Sequence, residues 1–180
     1  GAAGGIGGVL GGSGYIKNCY SSATVIDQIA NNTGKAGGII GRVNGNASGS
    51  SIENCYTSGD INAIGGGNAG GIVGKVDGGK LVIKNCIAWN SMLVSTDKAK
   101  VGRIVGGTAN ATYENCYAYD GMILKAGEAT FTVSDETSPS GSSFQGVAKS
   151  ANELKNTVIN WDSSLWKEGG NGYPVFKWSK

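Results

Sequence analysis

Apolar and polar residues alternate in two stretches of this chain: Ile39, Gly41 and Val43 share one parity with Arg42 on the other, and Ile72, Gly74 and Val76 repeat the pattern around Lys75. Period two is the mark of a strand with one buried face. The stretches belong to a longer repeat. Gly4-Gly5-Ile6, Gly37-Gly38-Ile39, Gly70-Gly71-Ile72 and Gly102-Arg103-Ile104 set an isoleucine at steps of 33, 33 and 32 residues. In phase with them run Ile16-Lys17-Asn18-Cys19, Ile52-Glu53-Asn54-Cys55, Ile83-Lys84-Asn85-Cys86 and Tyr113-Glu114-Asn115-Cys116, whose cysteines are separated by 36, 31 and 30 residues. One signature keeps a constant step while the other varies, so length changes fall in loops and offset one another, and each repeat closes as one unit. Strands that recur once per repeat in matching register stack as parallel strands, each turn covering the apolar edge of the last. The predicted fold is an all-β parallel β-solenoid of about four rungs. Glycine-rich linkage, only 2 prolines and few helix-forming runs exclude the helical repeats of similar length.

The repeat register assigns roles to whole columns of side chains. Four cysteines ordinarily suggest two disulfides, but in a stack they lie about 4.8 Å apart and point the same way, whereas a disulfide wants Cβ atoms about 3.8 Å apart. A buried thiol ladder is expected. No Cys-x-x-Cys pair and no histidine are present, so no metal site is expected. Asn18, Asn54, Asn85 and Asn115 fit a corner in left-handed geometry, each amide bonding to the copies above and below. Before each asparagine stand Lys17, Glu53, Lys84 and Glu114, alternating in charge and forming outward cross-rung pairs that specify register more than they stabilise it.

The ends of the array are atypical, as terminal rungs are. Arg103 and Tyr113 break the pattern in the fourth repeat, and Gly7 stands where the others have Ile40, Val73 and Val105. Periodicity stops after Leu124, so residues 1–125 read as the solenoid and 126–180 as a loop, short helix and cap of the same domain. Ser134 to Ser143 carries loop residues. Ser150-Ala151-Asn152-Glu153 is a capping box for a helix through about Asn156, and Trp161, Trp166, Tyr173, Phe176 and Trp178 are expected to cover the open edge of the last rung. No comparable cap precedes Gly1, so the chain reads as the C-terminal end of a longer array, or as one that relies on a further N-terminal segment.

Composition narrows the function classes. The 33 glycines sit at fixed repeat positions without a collagen triplet. A net charge of +2 from 15 basic and 13 acidic residues leaves no footprint for nucleic acid or an anionic membrane, and no apolar run is long enough to span a bilayer.

On Gly37-Gly38-Ile39-Ile40-Gly41 with Ile52-Glu53-Asn54-Cys55-Tyr56, and on Gly70-Gly71-Ile72-Val73-Gly74 with Asn85-Cys86, the chain resembles the GLUG-motif repeat proteins of bacterial surfaces, found also in large adhesins and in repeat regions of immunoglobulin A metallopeptidases. The resemblance covers roughly residues 1 to 125, and Asn160-Trp161-Asp162 with Gly172-Tyr173-Pro174-Val175 is similar to the family's usual ending. It implies a right-handed parallel β-helix on an exported, extracellular protein of the bacterial cell surface, one part of a longer polypeptide and adhesin-like. It implies no cofactor and no particular ligand.

Parallel β-helices also host polysaccharide lyases and glycosidases, which need carboxylates set across a groove or acids around calcium. Asp60, Asp77, Asp97 and Asp120 sit near loop ends, where acids solvate turns, and Asp135-Glu136 lies in the loop-like stretch. Ser164-Leu165-Trp166-Lys167 fits Ser-x-x-Lys without its companion motifs. Glycosylation sequons begin at Asn31, Asn46 and Asn110, and matter only in a suitable export pathway. The strand after each cysteine is the better candidate. With Cys86 and Ala88 inward, Trp89 points outward together with Tyr20, Tyr56, Tyr117 and Tyr119, a stripe able to stack on sugars or anchor a protein. Trp89 and Tyr119, each three residues past its cysteine, would form the platform. The structural counterpart is a stripe covered by a loop or by the tail. The expectation is a non-enzymatic surface solenoid presenting or spacing a binding face for extracellular glycan or protein, with a β-helical carbohydrate-active enzyme and a passive stalk as alternatives.

Overall fold

The computed structural model describes all residues except 32, 46, 47, 108–110, 134–144 and 180. It is a parallel β-solenoid of about four turns, with one helix in the tail. Each full turn contributes five short strands, and equivalent strands stack into five columns. The first column holds Ala3–Gly4, Lys35–Gly37, Asn68–Gly70 and Val101–Gly102. The second holds Gly7–Leu10, Ile40–Val43 and Val73–Val76, with Val105 bridged to Val73. The third, which leads into the Asn-Cys corner, holds Tyr15–Lys17, Ser48–Glu53, Lys80–Lys84 and Ala111–Glu114. The fourth holds Tyr20–Ser21, Tyr56–Thr57, Ile87–Ala88, Tyr117–Tyr119 and Val147–Lys149, and the fifth holds Val25–Asp27, Ile61–Ala63, Met92–Ser95 and Ile123–Ala126. Register follows the sequence repeat: Ile16 pairs with Ile52 and Ile52 with Ile83, then Ile83 with Tyr113.

The columns behave as expected. Asn18, Asn54, Asn85 and Asn115 have φ of 54°, 52°, 51° and 51°, in the left-handed region that asparagine tolerates. Each amide nitrogen donates to the asparagine oxygen of the preceding rung, at 3.1, 3.0 and 3.2 Å. All four cysteines are free thiols, with Cys55, Cys86 and Cys116 buried and Cys19 half-buried. Their Sγ atoms donate to backbone carbonyls, as in Cys86 to Lys84 at 3.2 Å and to Ile52 at 3.4 Å. Contact with the Cys55 thiol, and then burial, push the Cys19 thiol well above its ordinary range, which keeps it protonated and a poor nucleophile. Lys17 pairs with Glu53 at 3.7 Å and Lys84 with Glu114 at 2.8 Å.

Beyond residue 125 the solenoid does not simply stop. Ala129–Phe131 folds back antiparallel on Ile123–Ala126, and Val147–Lys149 returns as a parallel strand beside Tyr117–Tyr119. Arg103 explains how that return is fixed. At the equivalent position of the inner rungs a Cβ would strike the carbonyl of the next rung: Gly71 O lies 2.1 Å from a Cβ on Gly38, and Arg103 O lies 2.2 Å from one on Gly71. No further rung of the repeat follows Arg103, so a side chain fits. Its Nε donates to Gln145 O at 3.0 Å and its Nη2 to Gly146 O at 2.7 Å, while its backbone N–H donates to Gln145 Oε1 at 3.0 Å. Gly146 then lies directly on Ile104 and the Cys116 carbonyl.

The helix, α1 (Ala151–Trp161), begins at the expected capping box: Glu153 Oε2 accepts from Ser150 N at 2.9 Å. It runs past Asn156 because Leu154, Val158 and Trp161, spaced i, i+4 and i+7, give it an apolar face. The cap itself sits elsewhere than expected. Trp161, Trp166, Tyr173 and Phe176 pack on the outer side of the fourth column rather than over the last rung, and Trp178 is 66% exposed. The loop expected over Ser134 to Ser143 and the acidic pair Asp135-Glu136 lie outside the described residues, as do Asn46 and Asn110. Among the described residues no helix is long and apolar enough to cross a membrane.

Candidate ligand-binding site

Strand alternation does place the predicted stripe on one outer face. Tyr20, Tyr56, Ile87, Tyr117 and Val147 occupy successive rungs of one register, and Trp89 and Tyr119 extend the next outward position. Most of that face is not free. Tyr56 is 1% exposed and Trp89 5%. The tail turns the stripe into a core of its own, with Leu154, Val158 and Trp166 fully buried against it. Trp166 packs 5.8 Å from Tyr56 and 6.1 Å from Tyr20, and Phe176 packs 4.4 Å from Trp166. The Tyr56 hydroxyl donates to the carbonyl of Pro174, and burial pushes its pKa well up. Tyr117 lies under Lys149, whose Nζ stands 3.7 Å from the ring centre.

These contacts correct the expectation of an open aromatic platform. Tyr56 and Trp89 are buried packing residues of the solenoid–tail interface, and Tyr20 and Tyr117 pack against them. The physical reason is area: a stripe of stacked aromatics on a small domain is apolar surface that the chain covers with its own tail.

Trp89 and Tyr119 nevertheless remain together at the rim of the seal. They line a shallow groove of about 250 Å³ together with Ser91, Ala151, Asn171, Gly172 and Tyr173. Trp89 is its floor, held edge-on by Tyr173 at 4.7 Å and 61°. Tyr119 folds back over Gly121, where even a Cβ would come within 2.7 Å of the ring, so the turn that follows demands glycine and pins the tyrosine. Ser91 and Asn171 supply exposed polar groups, and Asn171 Oδ1 accepts from Tyr173 N at 3.3 Å. The lining contains no ionisable acid or base other than the two tyrosines. Of the aromatic members, Tyr173 is the one that sequence pattern did not assign to the site, as it did not assign Ser91 or Asn171. The place of Tyr173 depends on a tail contact with a strand more than eighty residues earlier, and the sequence offers only its membership in an aromatic-rich ending.

Among the described residues no group of three or more acids, histidines or cysteines could hold a metal ion. Most described carboxylates have a local structural partner. Asp27 accepts from the backbone of Ile29 and Lys35, both at 2.9 Å. Asp77 joins Arg42 at 2.5 Å and Lys75 at 2.8 Å. Burial works against its ionisation, but Lys75 and then Arg42 hold its carboxyl below the usual range. Asp97 and Asp162 accept backbone N–H groups at chain turns.

Fold and site together define a parallel β-solenoid repeat protein whose aromatic flank is sealed by its own tail, with a small aromatic groove at the rim of the seal. Among solved structures it is similar to a crystal structure described as a putative immunoglobulin A1 protease from Bacteroides ovatus, at 49% identity and a TM-score of 0.86 over 99% of this chain and 54% of that one. The chain thus spans about half the length of that protein. No family model and no curated protein matches it.

Proposed function

We propose that this chain is a non-catalytic, GLUG-type solenoid module of a longer bacterial cell-surface protein, and that it presents a binding site for extracellular glycan. The groove at Trp89, Tyr119 and Tyr173 carries this reading. The part-exposed rings of Tyr119 and Tyr173 beside hydroxyl and amide groups, with no carboxylate or basic side chain in the lining, suit one neutral sugar ring. The groove falls below the range of about 300–1,000 Å³ typical of drug-sized sites, so it suits a terminal or single residue of a glycan.

A non-catalytic role is supported by the employment of the acids. Carboxylates engaged in turn capping and ion pairs are poor candidates for the paired acid and base of a glycosidase. The module and cell-surface parts of the reading rest on the repeat signature and on the greater length of the similar bacterial protein.

A glycan array followed by titration of the best neutral ligand tests the proposal. Tyr119→Ala is expected to weaken binding at least tenfold, about 1.4 kcal/mol, with the fold unchanged by circular dichroism. Binding indifferent to Tyr119 and to Ser91→Ala, or turnover of a polysaccharide by the purified chain, would overturn it.

A further inference from the structure

The tail's share of the groove is a tight turn. Gly169, Gly170, Asn171 and Gly172 join the strands Trp166–Glu168 and Pro174–Phe176, which pair antiparallel. Gly169 N donates to Tyr173 O at 3.0 Å and Gly172 N to Gly169 O at 3.2 Å. Gly172 stands at φ 85°, a left-handed value that favours glycine. The same turn fixes Asn171. Its Oδ1 accepts from Tyr173 N at 3.3 Å and lies toward Gly169, 3.3 Å from where a Cβ on that glycine would stand. A backbone N–H can meet only the oxygen of a carboxamide, so this bond decides which end of Asn171 is which. The Nδ2 end, with two N–H donors, has no hydrogen-bond partner among the described residues.

That orientation gives the groove a polarity. Its side chains offer one fixed donor, the Asn171 amide, and the hydroxyls of Ser91, Tyr119 and Tyr173. With Asn171 Oδ1 spent on the turn, none of them is an obligate acceptor. Ser91 is exposed, and its backbone is held in place by Ile123 N, which donates to Ser91 O at 2.9 Å. Ala151 adds a methyl group, and Tyr119 and Tyr173 add part-exposed rings.

The substituent beside a sugar's anomeric carbon reads these features. An ammonium there brings donors to a donor and a charge that no carboxylate of the lining meets. A hydroxyl satisfies the amide but leaves Ala151 without an apolar partner. An acetamido group carries a carbonyl acceptor, an N–H and a terminal methyl, one for each kind of surface present.

We infer that the groove selects 2-acetamido sugars, with the acetamido carbonyl accepting from Asn171 Nδ2, its N–H donating to Ser91 Oγ and its methyl resting on Ala151 and the Tyr173 ring. The inference rests on the glycan reading above and narrows it from a neutral ring to the N-acetylhexosamines. Asn171 is then the residue that sets specificity.

The experiment titrates the unaltered chain with the methyl glycosides of glucose and galactose, with the 2-acetamido and 2-amino counterpart of each, and with acetamide alone. In at least one series the acetamido sugar is expected to bind at least about tenfold more tightly than the other two, and acetamide far more weakly than that sugar. Asn171→Asp keeps an acceptor for Tyr173 N but replaces the amide donor by a carboxylate oxygen. It is expected to cancel the acetamido preference and turn the order toward the 2-amino sugar, a reversal that loss of the turn alone does not produce. Equal binding of hydroxyl and acetamido sugars, weakened by Tyr119→Ala, overturns this inference and leaves the glycan reading standing. An acetamido preference that survives Asn171→Asp also overturns it, as does acetamide that competes as well as the sugar. Absence of binding by all of these sugars overturns both readings.

Discussion

The first and last rungs carry the same repeat signature and meet opposite fates. Ile104, Tyr113 and Cys116 in the last rung are 0%, 6% and 3% exposed, although no further repeat covers them. Ile6 is 47% exposed in the first. The returning segment at Gly146 and Val147–Lys149 covers the last rung, and one position of the repeat is tied to it. Where every inner rung needs glycine to clear the next carbonyl, the last rung has Arg103, and its guanidinium fastens residues 145–146 across the end. A solenoid is closed by breaking its repeat: the residue that departs from consensus marks the side on which stacking ends.

Truncating the two isoleucines gives the largest contrast. Ile104→Ala is expected to cost about 2–5 kcal/mol by leaving a cavity in a fully packed site, and Ile6→Ala less than about 1 kcal/mol, because half of that side chain is already in water. Urea unfolding of the two variants measures the gap, and equal losses would mean that the first rung is as well packed as the last.

Arg103→Gly should erase the asymmetry by restoring the repeat residue. The guanidinium's hydrogen bonds to the Gln145 and Gly146 carbonyls are lost, each worth about 1.5–3 kcal/mol, partly offset by water at the opened end. A net loss of about 2–4 kcal/mol is expected on that basis. The more telling readout is hydrogen exchange at Val147–Lys149, which should approach the rate of the first rung. If that strand stays protected, the aromatic tail rather than Arg103 closes the end.

The smallest effect concerns the charge ladder. Lys84→Glu places a carboxylate between Glu53 and Glu114, whereas Lys17→Glu meets Glu53 alone. Both pairs are exposed, so each change is expected to cost no more than about 1 kcal/mol and to fade with salt. The inner substitution should cost more. Thermal melts at low and high ionic strength check the order.

Translational repetition is what made so much of this protein legible. Ile16, Ile52, Ile83 and Tyr113, with the asparagine and cysteine that follow each, determined by themselves the register, the left-handed corner and the unbridged thiols, because each rung is held by the same short-range contacts as its neighbour. Local chemistry likewise located the start of α1 at Ser150. The sequence also set Trp89, Tyr119 and the tyrosines on one outer face, since alternation along a strand is a local rule.

What covers that face was decided only in three dimensions. Tyr56 meets Pro174 across 118 residues, and no period relates the tail to the column it seals. Aromatic content showed that the tail must bury itself, but the last rung's edge and the fourth column's flank were both apolar destinations. Tertiary packing chose the flank and left the end to Arg103 and Gly146. Where the seal meets the strand, Tyr173 closes on Trp89 and leaves the groove beside Tyr119, a site made from contacts that no repeating pattern encodes.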